Sequence, residues 1–390
     1  ELKNAYLKNK IEYGTNKKIV LENEKNKYLL NYFIAPFYNE NIFNNKKTGY
    51  IDLYKNNIIL VFSSGKIISI DKFDLINKNI LNFKEIKNNL IDLNLFNPEI
   101  EWTGIKDIKI FKDTILISIT EEIKKECYVT TLLFSKIEIN NLNFQHLFRP
   151  DECVDINENI VNAFKYFNGH QTGGRIEIMN NEIFLTVGDY NNWKLPQKKE
   201  SVFGKILKLD LISKKYEILS IGHRNQQGLK IIPEENQLIS TEHGPKGGDE
   251  INLIKLNSSS IENFGWPISS YGEHYDVVPL NSYTKQIAPL NKSHKKYGFV
   301  EPIFYFKDGS IGISEIIKNY FSEEKSFLIT SLKNKKIYVM KLDKNYKESK
   351  ILEELDVGER IRDIVYDEKT KNYILYLENT PNILILKKTS

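Results

Sequence analysis

The sequence predicts an all-β fold built by radial repetition: a six-bladed β-propeller with four-stranded antiparallel blades, forming one domain over residues 1–390. Three observations predict it. Short apolar runs alternate with a period of two through most of the chain, and long 3.6-residue periods are scarce. Aromatic residues make up 12% of the chain, mainly Tyr and Phe, which suit a pleated surface. Six strand–turn–strand pairs recur tens of residues apart, and closing such units into a ring protects their edges.

In chain order, the segment Leu2–Phe37 is expected to supply the strand that closes the ring. The first pair is Ile58–Phe62 and Lys66–Ile70, joined by the turn Ser63-Ser64-Gly65. Thr114–Thr120 with Cys127–Phe134 follows, then Glu182–Val187 with Lys205–Leu209 across a long excursion. Gln237–Thr241 pairs with Glu250–Leu256, and Ser326–Ser331 with Lys336–Leu342 across Lys333-Asn334-Lys335. Asn372–Leu377 and Asn382–Lys387, joined through Asn379–Pro381, complete the set. Each blade needs two more strands, for which Ile19–Leu21, Ile108–Phe111, Arg175–Met179, Gly228–Ile232 and Ile361–Tyr366 are candidates. Asn263–Tyr275 and Tyr283–Tyr297 read as surface excursions.

Composition limits the function classes. Apolar residues at 41% can fill a large core. The net charge of +4 is spread along the chain without a dense Lys/Arg block, which argues against nucleic-acid binding. No apolar run reaches the length of a membrane span. The chain starts at Glu1 and not at Met, so a removed leader is expected, and with it a periplasmic or secreted protein. Cys127 and Cys153 could then form one disulfide, or stand as two buried thiols.

Polar chemistry gathers in a few Gly-rich segments. Gly222-His223-Arg224-Asn225 sets an imidazole, a guanidinium and an amide on consecutive residues. His243-Gly244-Pro245, with Asp249 downstream, is a turn whose carbonyls can face a hard cation. Asn168-Gly169-His170-Gln171-Thr172-Gly173-Gly174-Arg175 flanks a histidine with glycines, and a neutral His is a suitable base near pH 7. Arg360 and Arg362, two residues apart, share one face of a strand. Each also has a bland reading. His170 could bond a neighbouring blade, Arg224 could bridge two blades, the glycine turn could be an ordinary hairpin, and the other cations could be solvated surface charges.

The patterns GHRNxQGL, EHGPxGGDExNLI, FGWP and SYG, in this order between Gly222 and Gly272, resemble the soluble glucose/aldose (glucose/sorbosone) dehydrogenases. These are quinoproteins that carry pyrroloquinoline quinone (PQQ) and calcium on a six-bladed propeller. The resemblance implies oxidation of an aldose or related alcohol, with an external electron acceptor, by a monomer or homodimer. It implies that His170 removes the hydroxyl proton and that Arg224 and Asn225 contact the quinone oxygens. It places the carbonyls of Gly244 and Pro245 on calcium, and His243 beside the cofactor. Lys333, Arg360 and Arg362 would hold the PQQ carboxylates, and Ser310 would stand where relatives carry a Thr hydroxyl. The chain departs from the pattern at Gly169, where an Asp often precedes the histidine, and at Gln226, where Pro normally follows. Asp308 falls near an aromatic position, and a GLLG-type segment is reduced to Trp102-Thr103-Gly104-Ile105-Lys106-Asp107.

The expectation is therefore that His170, Arg224, Lys333, Arg360 and Arg362 line one pocket walled by the Gly244 and Pro245 carbonyls. Their charges would need an anionic ligand. The competing reading is a binding propeller that keeps the fold and has lost or altered the cofactor. A lactone hydrolase on a similar propeller would need a side-chain metal set that the sequence does not assemble.

Overall fold

In the computed structural model, residues 15–22, 26–33, 48–78, 81–96, 103–138, 141–155, 169–276, 278–343, 349–380 and 382–389 are described. Among them the strands form six sheets. Blade 1 is Gly49–Tyr54, Asn57–Phe62, Ile67–Asp71 and Phe83–Asn88. Blade 2 is Gly104–Phe111, Thr114–Lys124, Cys127–Lys136 and Gln145–Phe148. Blade 3 is Gly173–Met179, Glu182–Val187, Lys205–Asp210 and Tyr216–Ile221, and blade 4 is Gln226–Ile232, Gln237–Glu242, Glu250–Lys255 and Phe304–Tyr305. Blade 5 is Ile313–Lys318, Ser326–Ser331, Lys336–Leu342 and Ser349–Asp356. Blade 6 is Ile361–Asp367, Asn372–Leu377 and Asn382–Lys388, completed by Lys27–Phe33 and Thr15–Glu22.

The first strand of each blade is innermost, and the six inner strands touch their neighbours in an unbroken circle, blade 6 against blade 1 included. The N-terminal segment closes the ring as expected, with two strands in place of one. Lys27–Phe33 pairs antiparallel with Asn382–Lys388, and Thr15–Glu22 lies outside it. All six pairs read from the sequence form. Two blades also carry a short extra strand that runs parallel to its neighbour, Asn141–Leu142 on blade 1 and Glu262–Asn263 on blade 3. The four-stranded antiparallel description thus holds for blades 1, 3, 4 and 5 apart from the two parallel additions, whereas blade 6 has five antiparallel strands and blade 2 gains the short antiparallel strand Val154–Asp155.

The strand alternation has its reason in the gaps between blades. Six clusters of buried aliphatic and aromatic residues each fill the space between two neighbouring blades. Strands buried on both faces read as continuous apolar runs, as Tyr373–Leu377 does. The excursion expected to lie on the surface between blade 4 strands differs. Trp266, Ala288 and Leu290 are buried and pack with Trp193 into a small core of their own. Cys127 and Cys153 are joined, which ties the segment after blade 2 to the strand Cys127–Lys136. Among the described residues, no helix is long and apolar enough to cross a membrane. The positions Trp102, Asn168 and Pro381 lie outside the described residues.

Five of the six inner strands shift register near their first residues, between Ile105 and Asp107, Gly173 and Ile176, Gln226 and Gly228, Ile313 and Ile316, and Ile361 and Asp363. A β-bulge re-aims side chains and frees backbone groups from the ladder. Here the bulges cluster around the central channel at one end of the ring, where the polar segments lie.

Candidate active site

Just below that end, the channel is crossed by one buried arginine. Arg175 of blade 3 bonds Asp107 of blade 2 at 3.1 Å, Glu315 of blade 5 at 3.0 Å and Asp363 of blade 6 at 3.2 Å through Nη1. Its Nη2 donates to the Arg362 carbonyl and its Nε to the Gln227 carbonyl of blade 4. Its guanidinium lies over the Tyr50 ring of blade 1. All six inner strands therefore meet at one cation. Burial, reinforced by the neighbouring carboxylates, pushes Asp107 up to about 8 against the pull of Arg175.

Above this node, toward the starts of the inner strands, lies a cavity of about 220 Å³. His170, Asn225, His243, Arg360 and Arg362 line it, as the sequence reading expects. Burial, then the charges of Lys106, Arg224 and His243, hold His170 down at about 4, so its ring is neutral at pH 7. His243 is likewise held at about 4, mainly by burial. Asn225 Oδ1 accepts from the Gly173 amide, which fixes the His170 loop against blade 4.

Arg224 is buried beside the cavity and not among its lining residues. Its backbone amide donates to Glu242, and its Nη1 donates to the His243 carbonyl at 3.0 Å and the Gly244 carbonyl at 2.8 Å. Its guanidinium rests over Trp266, whose Nε1 donates to Asp189. The bland reading of Arg224 as a tie between segments is thus part of the picture.

Besides the placement of Arg224, three expectations need correction. Lys333 is exposed and does not line the cavity. Ser310 does not line it either: its Oγ donates to the Pro245 carbonyl and accepts from the Gly247 amide. The arginine charges are not uncompensated. Glu378, buried behind them, accepts from Arg360 Nε at 2.9 Å and from Arg362 Nη2 at 2.7 Å. Burial opposes ionisation of Glu378, yet Arg362 and Arg360 hold it at about 2, with Thr48 adding a hydrogen bond. Asp308, near the expected aromatic position, is exposed and away from the cavity.

The residues present fit a polyanionic cofactor better than they fit a metal. No Asp or Glu lines the cavity among the described residues, whereas Lys106, Arg360 and Arg362 do. Among the described residues, no group of three or more His, Cys, Asp or Glu is placed to hold a metal ion. The two carbonyls assigned to calcium are already bonded, Gly244 by the Arg224 guanidinium and Pro245 by Ser310. A cation at Gly244 would face a guanidinium across one oxygen, which is unfavourable. Asp249 is not a ligand in waiting, because its Oδ2 accepts from the amides of Ile311, Gly312 and Ile313 and its Oδ1 from Gly244.

Sequence reasoning missed Glu378, Lys106, Gln171 and Ser63. Glu378 lies just past a strand end with no motif around it. Ser63 was read only as a turn residue, although it is among the residues that line the cavity.

Residues 149–385 match the family model described as glucose/sorbosone dehydrogenase, more than half of the chain. The chain belongs to this family. An aldose sugar dehydrogenase of Escherichia coli K12, YliI, is 29% identical over 239 residues, which span 56% of this chain and 61% of that relative. The soluble aldose sugar dehydrogenase of Escherichia coli, solved in the apo-form, shares the fold at a TM-score of 0.67 and 19% identity, covering 87% of this chain and 95% of that one. The PQQ-bound aldose sugar dehydrogenase of Streptomyces coelicolor does so at 0.59 and 15%, covering 88% and 99%. Within the family match fall His170, Arg224, Arg360, Arg362 and Glu378; blade 1 and the four strands of blade 2 given above lie outside it.

Proposed function

We propose that this chain oxidises an aldose sugar or related alcohol with PQQ as its resident cofactor. The observation that carries the reading is a cationic cavity, free of lining carboxylates among the described residues, with a neutral histidine at its wall. When bound, PQQ supplies a quinone that takes up the hydride leaving the sugar carbon. Arg360 and Arg362 are the groups of this chain suited to hold its carboxylates, at fixed positions set by Glu378. His170 accepts the hydroxyl proton at a ring nitrogen, which its neutrality permits. Arg224 supplies positive charge beside the reacting centre, where negative charge develops. The Trp266 and Arg175 layers hold these groups rigid beneath the substrate. Calcium at Gly244 and Pro245 belongs to the proposal only if Arg224 releases the Gly244 carbonyl. Export to the periplasm or the medium is likewise proposed, and the Cys127–Cys153 bond supports it.

A second reading, a propeller of this family that binds a ligand without PQQ chemistry, is favoured by the bonded state of the Gly244 and Pro245 carbonyls. One experiment separates the two. PQQ at micromolar concentration, with and without calcium, is added to the purified chain, and the bound-quinone absorbance is followed as aldoses are supplied. Binding and bleaching are expected, and the variant His170→Gln should keep the binding and lose roughly 10²-fold in turnover. If no PQQ binds, the dehydrogenase reading fails and the second reading replaces it.

A further inference from the structure

Arg224 differs from the other arginines of the chain in how its charge is met. The sequence holds five arginines, and the other four each meet a carboxylate. Arg149 bonds Glu121, Arg175 bonds Asp107, Glu315 and Asp363, and Arg360 and Arg362 share Glu378. Among the described residues Arg224 has no such partner, although it is only 6% exposed. Its Nη1 donates to the carbonyls of His243 and Gly244, and neutral acceptors leave the charge uncancelled. A buried cation without a counter-charge is unfavourable for folding.

Two carboxylates lie beside it, and both are occupied by other donors. Glu242 accepts the Arg224 backbone amide on Oε1 and His223 Nδ1 at 2.9 Å on Oε2. Asp189 accepts the Asn191 amide at 2.8 Å on Oδ1 and Trp266 Nε1 at 2.7 Å on Oδ2. The backbones of Asp189 and Arg224 touch as well, the Asp189 amide donating to the Arg224 carbonyl at 2.8 Å. Burial pushes the Asp189 carboxyl up to about 7, and Arg224 is the foremost influence pulling it back down.

Trp266 keeps the two apart. The face of its indole lies under the guanidinium, with Arg224 Cζ 5.3 Å from the ring centre, while its edge holds Asp189. Trp193 packs nearly perpendicular to the indole at 6.0 Å, and the Trp266 backbone amide donates to the Gly222 carbonyl at 2.9 Å, so the ring has one orientation. A phenyl ring in its place would keep an aromatic face under Arg224 and lose the N–H, freeing one oxygen of Asp189. Arg224 does not line the cavity, yet its charge reaches it and helps to keep His170 neutral.

We propose that Trp266 is a positioning residue that holds Asp189 away from Arg224, so that an unneutralised guanidinium charge acts on the cavity. The indole then serves Arg224 twice, as a cation–π face and as the donor that occupies a competing carboxylate. The use of that charge in turnover rests on the reading of the cavity as that of a sugar dehydrogenase. The relation among Trp266, Asp189 and Arg224 does not.

The test uses the full chain as Trp266→Phe, Asp189→Asn and the two together. The first measurement needs no cofactor: the Asp189 carboxyl titration is followed by carbon NMR. In Trp266→Phe it should move down from about 7, because the freed carboxylate pairs with Arg224. Loss of a hydrogen bond alone would move it up, so the sign separates the proposal from a packing role. The second measurement is PQQ affinity at pH 8, where Asp189 is ionised. It should fall roughly threefold or more in Trp266→Phe, as the cation is neutralised, and it should recover in the double variant, whose amide carries no charge. A packing role predicts losses that add, without recovery. The proposal is overturned if the Asp189 titration stays or rises in Trp266→Phe, or if Asp189→Asn does not restore affinity there. Should Trp266→Phe not fold, Asp189→Asn alone decides: PQQ affinity should hold or rise, and a fall overturns the proposal. Should the wild type bind no PQQ, the dehydrogenase reading falls by itself, and the Asp189 titration upholds or ends this one.

Discussion

Two arginine clusters lie one above the other in this channel, and they differ in how their charge is balanced. In the deeper one, a single buried arginine, Arg175, faces three carboxylates from three blades. In the upper one, two arginines, Arg360 and Arg362, share the one carboxylate of Glu378. The deeper node sets three carboxyl groups against one guanidinium, all of them buried. The upper one keeps cationic character and opens on the cavity, with Arg360 one-third exposed. The same residue type thus serves as a tie between blades in one layer and as an anion site in the next. The ratio of arginine to carboxylate tells them apart, more than burial does, since Arg362 is nearly as buried as Arg175.

The widest separation between the layers should come from deleting one arginine in each. Arg175→Met leaves Asp107, Glu315 and Asp363 facing one another without their cation, and a broken buried ion pair costs about 3–5 kcal/mol. Protonation of those carboxylates offers partial relief, so the loss should be smaller at pH 5 than at pH 8. Arg360→Ala should lower stability by less than about 1 kcal/mol, because Arg362 still serves Glu378 and the removed group is partly solvated. Its effect should appear instead as a loss of roughly tenfold in PQQ affinity. Denaturant midpoints and quinone titrations on both variants check this. Equal stability losses in the two would erase the distinction.

A smaller effect of opposite sign tests the upper layer alone. Glu378→Gln removes the charge that offsets Arg360 and Arg362 while keeping the side-chain shape. Stability should fall, by about 1–3 kcal/mol, as the arginine hydrogen bonds weaken. Anion affinity should nevertheless rise several-fold, since two cations then face the ligand without a competing carboxylate. Weaker PQQ binding in Glu378→Gln would mean that Glu378 matters by positioning the arginines, and that the charge ratio is not what defines the site.

The sequence made some of this legible and hid the rest for physical reasons. The strand pairs were readable because each packs both faces into an inter-blade gap, which leaves long apolar runs such as Tyr373–Leu377. His170, Asn225, His243, Arg360 and Arg362 were readable because their segments resemble the family's motifs; glycine-rich turns and paired cations alone left a bland reading open for each. Glu378 was not, because its role arises from the register that brings the end of Asn372–Leu377 beside Ile361, sixteen positions away. Lys333 and Ser310 were misplaced for the converse reason. A motif position tells which turn a residue belongs to, whereas the direction of its side chain depends on neighbours, as the Pro245 carbonyl that accepts from Ser310 shows. The bulges that turn the inner strands toward the channel leave no sequence mark beyond an interrupted alternation.

The smallest effect concerns His170, which reports on the upper layer without a mutation. Burial comes first in holding it at about 4, and the charges of Lys106, Arg224 and His243 add to this. His243 is held at about 4 as well, by burial above all. For both, the folded value lies below the ordinary 6.5. Above pH 6.5 the folded and unfolded chains bind the same number of protons at these rings, and the pair adds no pH dependence. Between 6.5 and 4 the unfolded chain takes up protons that the folded chain refuses, so stability falls as the pH is lowered through that window. A polyanion in the cavity changes this balance for His170, because negative charge offsets the neighbouring cations Lys106 and Arg224 and favours the imidazolium. The His170 ring titration, followed by NMR with and without PQQ, should therefore move upward on binding, and the acid-side loss of stability should shrink. Arg360→Ala should reduce that movement by weakening binding, whereas Arg175→Met, where it folds, should leave it in place. An unmoved His170 at saturating PQQ would place the cofactor away from this histidine and remove it from the role of proton acceptor.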